Sequence, residues 1–282
     1  MVEAVLDNIE LSDKDFKLIS DLVYKHCGIN LHTGKKELVR ARLAKRLRAL
    51  KIRKFSEYIK YAVNDPTGRE FTTLIDSLST NLTSFFREHQ HFDYLKQVFY
   101  PAMLNRKRRK SNFRIRVWSA GCSSGEEPYT IAITLLDTLA GQGRWDVKVL
   151  ATDISTKVLG TAKEGIYDKQ RVAPVSAQQK QKYLIKRNGD REEVYEVSNS
   201  LRDIIVFAQL NLMEQWPIQG PVDFIFCRNV MIYFDKPTQE RLVNRYWELL
   251  EPGGLLFTGH SESLTGISHR FSYVQPTIYA KP

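Results

Sequence analysis

FRIRVWSAGCSSGEEPYTIAITLL, residues 113–136, changes character twice. Phe113, Ile115, Val117 and Trp118 form a strand-like run, Ser119 to Gly125 a loop of small residues, and Ile131, Ile133, Leu135 and Leu136 belong to an apolar helix. A strand, a glycine loop and a helix in that order bring backbone N–H groups and a helix N-terminus to the carboxyl end of a strand. That is where α/β sheets bind nucleotide-like ligands. Glu126 and Glu127 stand where a pyrophosphate would lie. Two carboxylates there oppose phosphate and suit a cationic ligand. Neither Gly121 nor Gly125 is followed by Lys and Ser/Thr, so this is not a P-loop. Taken alone, the stretch reads equally as a tight strand-to-helix turn.

Beyond it, strands and helices alternate, which predicts a parallel sheet. Val147 to Asp153 reads as a second strand ending in an acid, placed to accept hydrogen bonds from both ribose hydroxyls of a nucleoside. Asp153 lies about 30 residues beyond the glycine loop, more than the usual ~20. A helix is expected from about Ser155 to Lys163. Tyr183–Lys186 and Glu193–Val197 flank Asn188-Gly189, a hairpin signal that predicts a small antiparallel insert at about 180–203. Ile204–Phe207 and Val222–Phe226 read as strands. Pro237 opens a helix with Leu242, Tyr246, Leu249 and Leu250 on its core face. Pro252-Gly253-Gly254 turns into a strand at Leu255–Phe257, and Tyr273–Ala280 is expected to be a last, antiparallel edge strand.

Upstream the periodicity is helical. Ser12-x-x-Asp15 resembles a capping box before Phe16, Ile19, Leu22 and Val23, and Gly28 is a natural stop. Further helices are expected at about Lys36–Leu50, at Phe55–Val63 and around Phe71–Leu78. On the first of these Arg42, Lys45 and Arg46 fall within about 100° of one another. Such a face is either solvated or a docking surface, and spacing does not choose. Ser79–Glu88 mixes cap-forming residues with Phe85, Phe86 and Arg87. His89 and His91 lie on different helix faces, a poor metal-ligand spacing. His91–Leu104 reads as a linking helix, ending in Arg106-Lys107-Arg108-Arg109-Lys110. That run is a nucleic-acid patch, a localisation signal or a solvated linker. The expected division is a helical domain over 1–90, a linker over 91–112 and an α/β domain over 113–282.

The 282 residues suffice for two cores, and 43% hydrophobic with 26% charged residues fits a soluble globular protein. No apolar run approaches the ~20 residues of a membrane span, and the first residues hold no signal-peptide apolar region. Cys27, Cys122 and Cys227 form neither a C-x-x-C pair nor an even set, so a reduced, intracellular protein is expected. The net charge of +10 points to an acidic partner: nucleic acid, anionic membrane or an acidic protein surface.

Four stretches, in order, narrow this. Asn81-Leu-Thr-Ser-Phe-Phe-Arg87, Ser123-Ser-Gly-Glu-Glu-Pro-Tyr129, Ile225-Phe-Cys-Arg-Asn-Val-Met-Ile-Tyr-Phe234 and Gly259-His-Ser-Glu262 resemble the CheR family of chemotaxis receptor methyltransferases, and the resemblance covers nearly the whole chain. It implies a Rossmann-like class I methyltransferase sheet with a small antiparallel insert, preceded by an all-α N-terminal domain. Many members of that wider class have a G-x-G-x-G loop where this chain has Ala-Gly-Cys-Ser-Ser-Gly. The implied reaction moves a methyl group from S-adenosyl-L-methionine to glutamate side chains of chemoreceptors, giving methyl esters and S-adenosyl-L-homocysteine.

By the same resemblance the cofactor site takes Asn81, Thr83, Arg87, Glu127, Asp153, Asn211, Leu212, Arg228 and Asn229. Glu127 would accept from the methionine ammonium, Arg87 or Asn81 and Thr83 would donate to its carboxylate, Asp153 would hold the ribose, and Asn211 and Leu212 would meet the adenine. Arg87 and Tyr233 would orient substrate and cofactor. Arg42, Lys45 and Arg46 would meet the acidic cytoplasmic bundle of the receptor. In some family members the insert grips a tether peptide at the receptor C-terminus. A cytoplasmic monomer with no metal, no nucleic-acid partner and no membrane insertion is expected. The rivals are a nicotinamide-dependent oxidoreductase, disfavoured by Glu126-Glu127; a nucleic-acid methyltransferase, which lacks an Asn/Asp-Pro-Pro-aromatic motif here; and a non-catalytic cofactor sensor.

Overall fold

The computed structural model describes residues 9–188 and 193–282. Helices α1 (Asp13–Cys27), α2 (Lys36–Leu50), α3 (Phe55–Asn64) and α4 (Arg69–Leu78) turn their apolar stripes inward, burying Ile19, Val23, Leu43, Leu47 and Ile75 in one core. The expected caps form: Ser12 Oγ accepts the Asp15 N–H at 3.0 Å, and Gly28 ends α1 at φ 73°. A continuous helical run follows, α5 (His89–Tyr94) and α6 (Tyr100–Arg109), joined by a π-helical stretch at Leu95–Phe99.

Next come β1 (Arg114–Ala120), α7 (Glu126–Leu139), β2 (Asp146–Asp153), α8 (Thr156–Glu164), β3 (Ile166–Asp168), α9 (Ala177–Tyr183), β4 (Leu184–Asn188), β5 (Glu193–Val197) and α10 (Asn199–Arg202). They are followed by β6 (Ile205–Gln209), β7 (Val222–Cys227), α11 (Lys236–Leu249), β8 (Leu250–Thr258), β9 (Ser272–Gln275) and β10 (Ile278–Ala280). The larger sheet runs β6-β2-β1-β7-β8-β10-β9, parallel from β6 to β8 and antiparallel beyond. Its central β7 is buried along its whole length, as a parallel strand covered on both faces must be. The chain leaves β1 for β2 on one side and returns to β7 on the other. A crevice opens at this switch point, beyond the carboxyl ends of the strands.

Three expectations change. The C-terminal edge strand is a hairpin, in which β10 pairs with β8 and β9 forms the edge; Thr277 turns the chain at φ 65°. The insert is a sheet of order β3-β5-β4 that begins at Ile166; its first strand is not legible in the sequence because three-residue β3 is too short to show a period of two. β4 and β5 pair antiparallel as predicted, while Gly189 of the predicted turn lies outside the described residues. The run Arg106–Lys110 is also not simply solvated. Lys107 is buried with its Nζ 2.7 Å from Asp223 Oδ1 at the start of β7, and Arg106 pairs with Glu251 at 2.6 Å. Burial raises the pKa of the Asp223 carboxyl and the neighbouring ammonium opposes that rise. The basic end of α6 is thereby stapled to the amino-terminal side of the sheet, away from the crevice.

Removing one partner of a buried ion pair strands the other in low dielectric. Lys107→Met is expected to cost about 3–5 kcal/mol in urea unfolding, and adding Asp223→Leu should recover part of it. A single substitution costing under about 1 kcal/mol would show that the pair is not desolvated.

Candidate active site

A cavity of about 310 Å³ occupies the crevice, at the small end of the range for ligand sites. Its floor is the loop from β1 to α7 (Gly121, Ser123, Glu127), the end of β2 (Thr152, Asp153) and the segments after β6 (Asn211, Leu212) and β7 (Arg228, Asn229, Tyr233). Its roof is the helical lobe: Ile29, Leu31, Leu38 and Arg42, with residues 78–83 and Arg87. All nine cofactor positions named from sequence line this one cavity, and so does Tyr233.

The floor depends on close backbone approach. Gly121 has φ 92°, and a Cβ there would stand 2.3 Å from Val230 Cγ2. Only glycine lets the loop after β7 close over β1. Asp153 is buried, and its two oxygens accept the N–H groups of Ser123 (2.8 Å) and Ser155 (2.9 Å). Burial raises its pKa against the pull of those amides. Glu127 accepts from Ser119 Oγ at 2.7 Å and from Arg228 Nε at 2.7 Å. Arg228 also donates to the Arg87 carbonyl at 2.6 Å, so one guanidinium ties β7, α7 and the roof segment together. Of the two acids opening α7, only Glu127 reaches the cavity; Glu126 pairs with Arg171 and Ser124 behind the loop.

Other predicted residues serve partly as struts. Arg87 Nη1 donates to the Leu82 carbonyl at 2.8 Å, and the Asn81 carbonyl accepts from Ser123 Oγ at 2.8 Å. Asn211 Nδ2 donates to the His26 carbonyl at 2.6 Å and its Oδ1 accepts from Met213 N at 3.0 Å, so its amide links the lobes. The Tyr233 carbonyl accepts from Asn30 N at 2.8 Å, and Lys35 Nζ lies 5.6 Å from the centre of its ring. The α2 face is not three free cations. Arg46 is locked bidentately on buried Glu70 at 2.8 and 2.5 Å, and Arg42 donates to the Leu78 carbonyl and Thr80 Oγ1. Lys45 is exposed.

Sequence reasoning gave Glu262 no role. Its buried carboxylate accepts three amides: Asn229 (2.7 Å), Ile232 (3.0 Å) and Gly259 (2.6 Å). It therefore clips the loop after β7 to the end of β8 and holds Asn229 in its left-handed conformation, φ 61°. Its place in the fourth matched stretch was the available signal. His91, beneath Arg228, bonds Thr277 Oγ1 at 2.6 Å through Nε2. Glu88, His91 and His260 converge, yet Arg228 Nη1 stands 3.3 Å from His91 and 3.4 Å from Glu88, where a cation would sit.

S-adenosylmethionine fits this donor set. Two carboxylates suit its ammonium and its ribose diol, Arg87 suits its carboxylate, and Leu212 and Val230 give apolar walls. Asn229 Oδ1 is buried with no partner among the described residues, an acceptor that a ligand donor would satisfy.

A switch-point crevice with an acid at the end of β2 and a carboxylate at the mouth of α7, roofed by helices, defines a Rossmann-like methyltransferase as the class. Residues 81–280 match the family described as CheR methyltransferase, SAM binding domain, and residues 14–79 its all-alpha domain. The chain belongs to the CheR methyltransferase family and is an S-adenosylmethionine-dependent methyltransferase. It is 43% identical to the chemotaxis protein methyltransferase of Escherichia coli K12, covering 97% of this chain and 93% of that one. It is 42% identical to chemotaxis protein methyltransferase 2 of Pseudomonas aeruginosa PAO1 over 95% and 92% of the two chains. The chemotaxis protein methyltransferase of Borreliella burgdorferi is 40% identical over 97% and 96%.

Two measurements test this geometry. Glu262→Gln puts an amide N–H against amides that need an acceptor, and should weaken S-adenosylhomocysteine binding about tenfold by calorimetry with the fold retained. Unchanged affinity would show that the loop holds without the clip. Burial, with Arg228 beside it, pulls the His91 pKa from 6.5 to about 3. The folded protein therefore refuses a proton that the unfolded chain accepts below pH 6.5, and stability falls as pH drops from there toward 3. The slope is about 1.4 kcal/mol per unit. His91→Gln should flatten that stretch of the pH–stability curve, and an unaltered slope would place the titrating group elsewhere.

Proposed function

We propose that this enzyme methylates glutamate side chains on the cytoplasmic helical bundle of chemoreceptors, giving glutamate methyl esters. The observation that carries the reading is one cavity in which Glu127, Asp153 and Arg87 face a common space under a helical lobe whose α2 shows basic residues outward. When bound, S-adenosylmethionine supplies an electrophilic methyl, which passes to a carboxylate oxygen while the electrons of the broken bond stay on sulfur.

The chain has little proton chemistry to perform. A glutamate carboxylate, with an ordinary pKa of about 4.3, is already ionised near neutrality and needs no general base. Asn81, Thr83, Arg87, Glu127, Asp153, Asn211, Leu212, Arg228 and Asn229 hold the cofactor or the elements that hold it. Arg87 and Tyr233 orient the incoming carboxylate and shed its water. Lys45 supplies exposed charge for the acidic receptor bundle, while Arg42 and Arg46 shape the face beside it. The three-stranded insert offers its β4 edge to a receptor tether peptide, a strand-addition mode. The protein works as a cytoplasmic monomer. Among the described residues no helix is long and apolar enough to cross a membrane.

Labelled methyl groups should transfer to receptor and come off in mild alkali, as esters do. Label that survives alkali would refute the glutamate ester. Lys45→Glu should lower receptor methylation at low salt, with the defect fading as salt rises and cofactor affinity untouched. Arg46→Glu should instead lower the unfolding midpoint, because it faces buried Glu70 with a like charge. A salt-independent Lys45 defect would argue against electrostatic docking.

A further inference from the structure

Three large apolar side chains stand in water at the mouth of the cavity: Leu38 (44% exposed), Leu82 (81%) and Ile232 (45%). They come from α2, from the segment after α4 and from the loop after β7. Separate segments have thus converged to expose leucine and isoleucine where solvent enters a charged site. Single exposed apolar residues are ordinary; three around one entrance mark a contact surface.

We propose that Leu38, Leu82 and Ile232 form an apolar collar that seats the receptor helix carrying the target glutamate. This role rests on the reaction proposed above. Charge selects the occupant: Lys35 lines the cavity beside the collar, and exposed Lys45 lies two turns along α2 from Leu38 on the same helix face, so the partner is acidic around an apolar stripe. On a helix, residues three and four positions either side of a glutamate share its face. When that glutamate enters the cavity, these neighbours land on the collar, which accepts alanine or aliphatic side chains and excludes charged ones. The collar also strips water from the carboxylate as it arrives, strengthening its attraction to Arg87.

The test compares Leu38→Ser, Leu82→Ser and Ile232→Ser, singly and combined, with the conservative Leu82→Met and Ile232→Leu. Receptor, labelled cofactor and the full chain are used. The combined serine variant should lose about tenfold or more in kcat/KM for receptor, equally at low and high salt, while the conservative variants stay near wild type. S-adenosylhomocysteine affinity and the thermal midpoint should not move. Wild-type kcat/KM in the serine variants overturns the collar. A parallel loss of S-adenosylhomocysteine affinity overturns it too, by assigning these residues to the cofactor. A wild-type dimer that the serine variants dissociate would give the collar to a second copy of the chain, and would equally overturn its role in seating the receptor. If the wild type itself places no alkali-labile methyl on receptor, the proposed reaction fails, and that result is distinct from all of these.

Discussion

The ion pair between Arg228 and Glu127 is the constraint on which the site depends. Both side chains are nearly sealed from water, and a buried pair stabilises only when its remaining hydrogen-bonding capacity is met. Here it is met. Ser119 donates to the second Glu127 oxygen, the Arg87 carbonyl accepts from Arg228, and the guanidinium packs against the rings of Phe92 and Phe226 at 5.5 and 5.0 Å. The pair fixes the end of β7, the first turn of α7 and the segment bearing Arg87 in one arrangement. Its net negative neighbour, Asp153, is fixed independently by two amides. The charge pattern of the cavity therefore exists before any ligand arrives, which is what positioning chemistry requires.

The helical lobe is part of this construction. Asn211 reaches the His26 carbonyl, Asn30 donates to the Tyr233 carbonyl, Tyr24 donates to Asp235 at 2.8 Å, and Ile29 bridges to Phe234. These contacts join the end of α1 and the connection after it to the segment after β6 and to the loop after β7, the loop that Glu262 also clips. A small shift of the lobe would carry Tyr233 and Ile232 with it. Roof and floor are thus tied together at several points beside the mouth of the cavity.

Much of this was legible in the chain. Periodicity placed the main helices and the parallel strands, because their apolar faces repeat over two or more turns or over full strands. Asp153 was readable because an acid ending a strand beside a glycine loop has few structural uses. What stayed hidden was pairwise. Nothing in Glu126-Glu127 says that one faces the ligand and its neighbour faces Arg171. Arg46 looks like a surface cation until Glu70, distant in sequence, is found beneath it. Lys107 reads as one of five solvated bases until Asp223 takes it into the interior. The three-residue β3 and the last hairpin were missed because such short elements carry no period, and their pairing is decided by partners far away in the chain.

The chemistry in turn explains why the titratable groups around the cavity are held out of play. A carboxylate nucleophile arrives ionised, so a base beside it would have nothing to take, and a cationic acid would hold it back. His91 is kept neutral by burial and by Arg228. The Cys122 and Cys227 thiols are buried behind the cavity wall, and burial next to carboxylates pushes them well up. What lines the cavity is a set of fixed polar and charged side chains beside an apolar entrance. Rate is then governed by how closely a carboxylate can be brought, stripped of water, along the line of the bond that breaks. That is a problem of shape and desolvation, and the Arg228 pair and the Glu262 clip fix the shape of the cavity's floor.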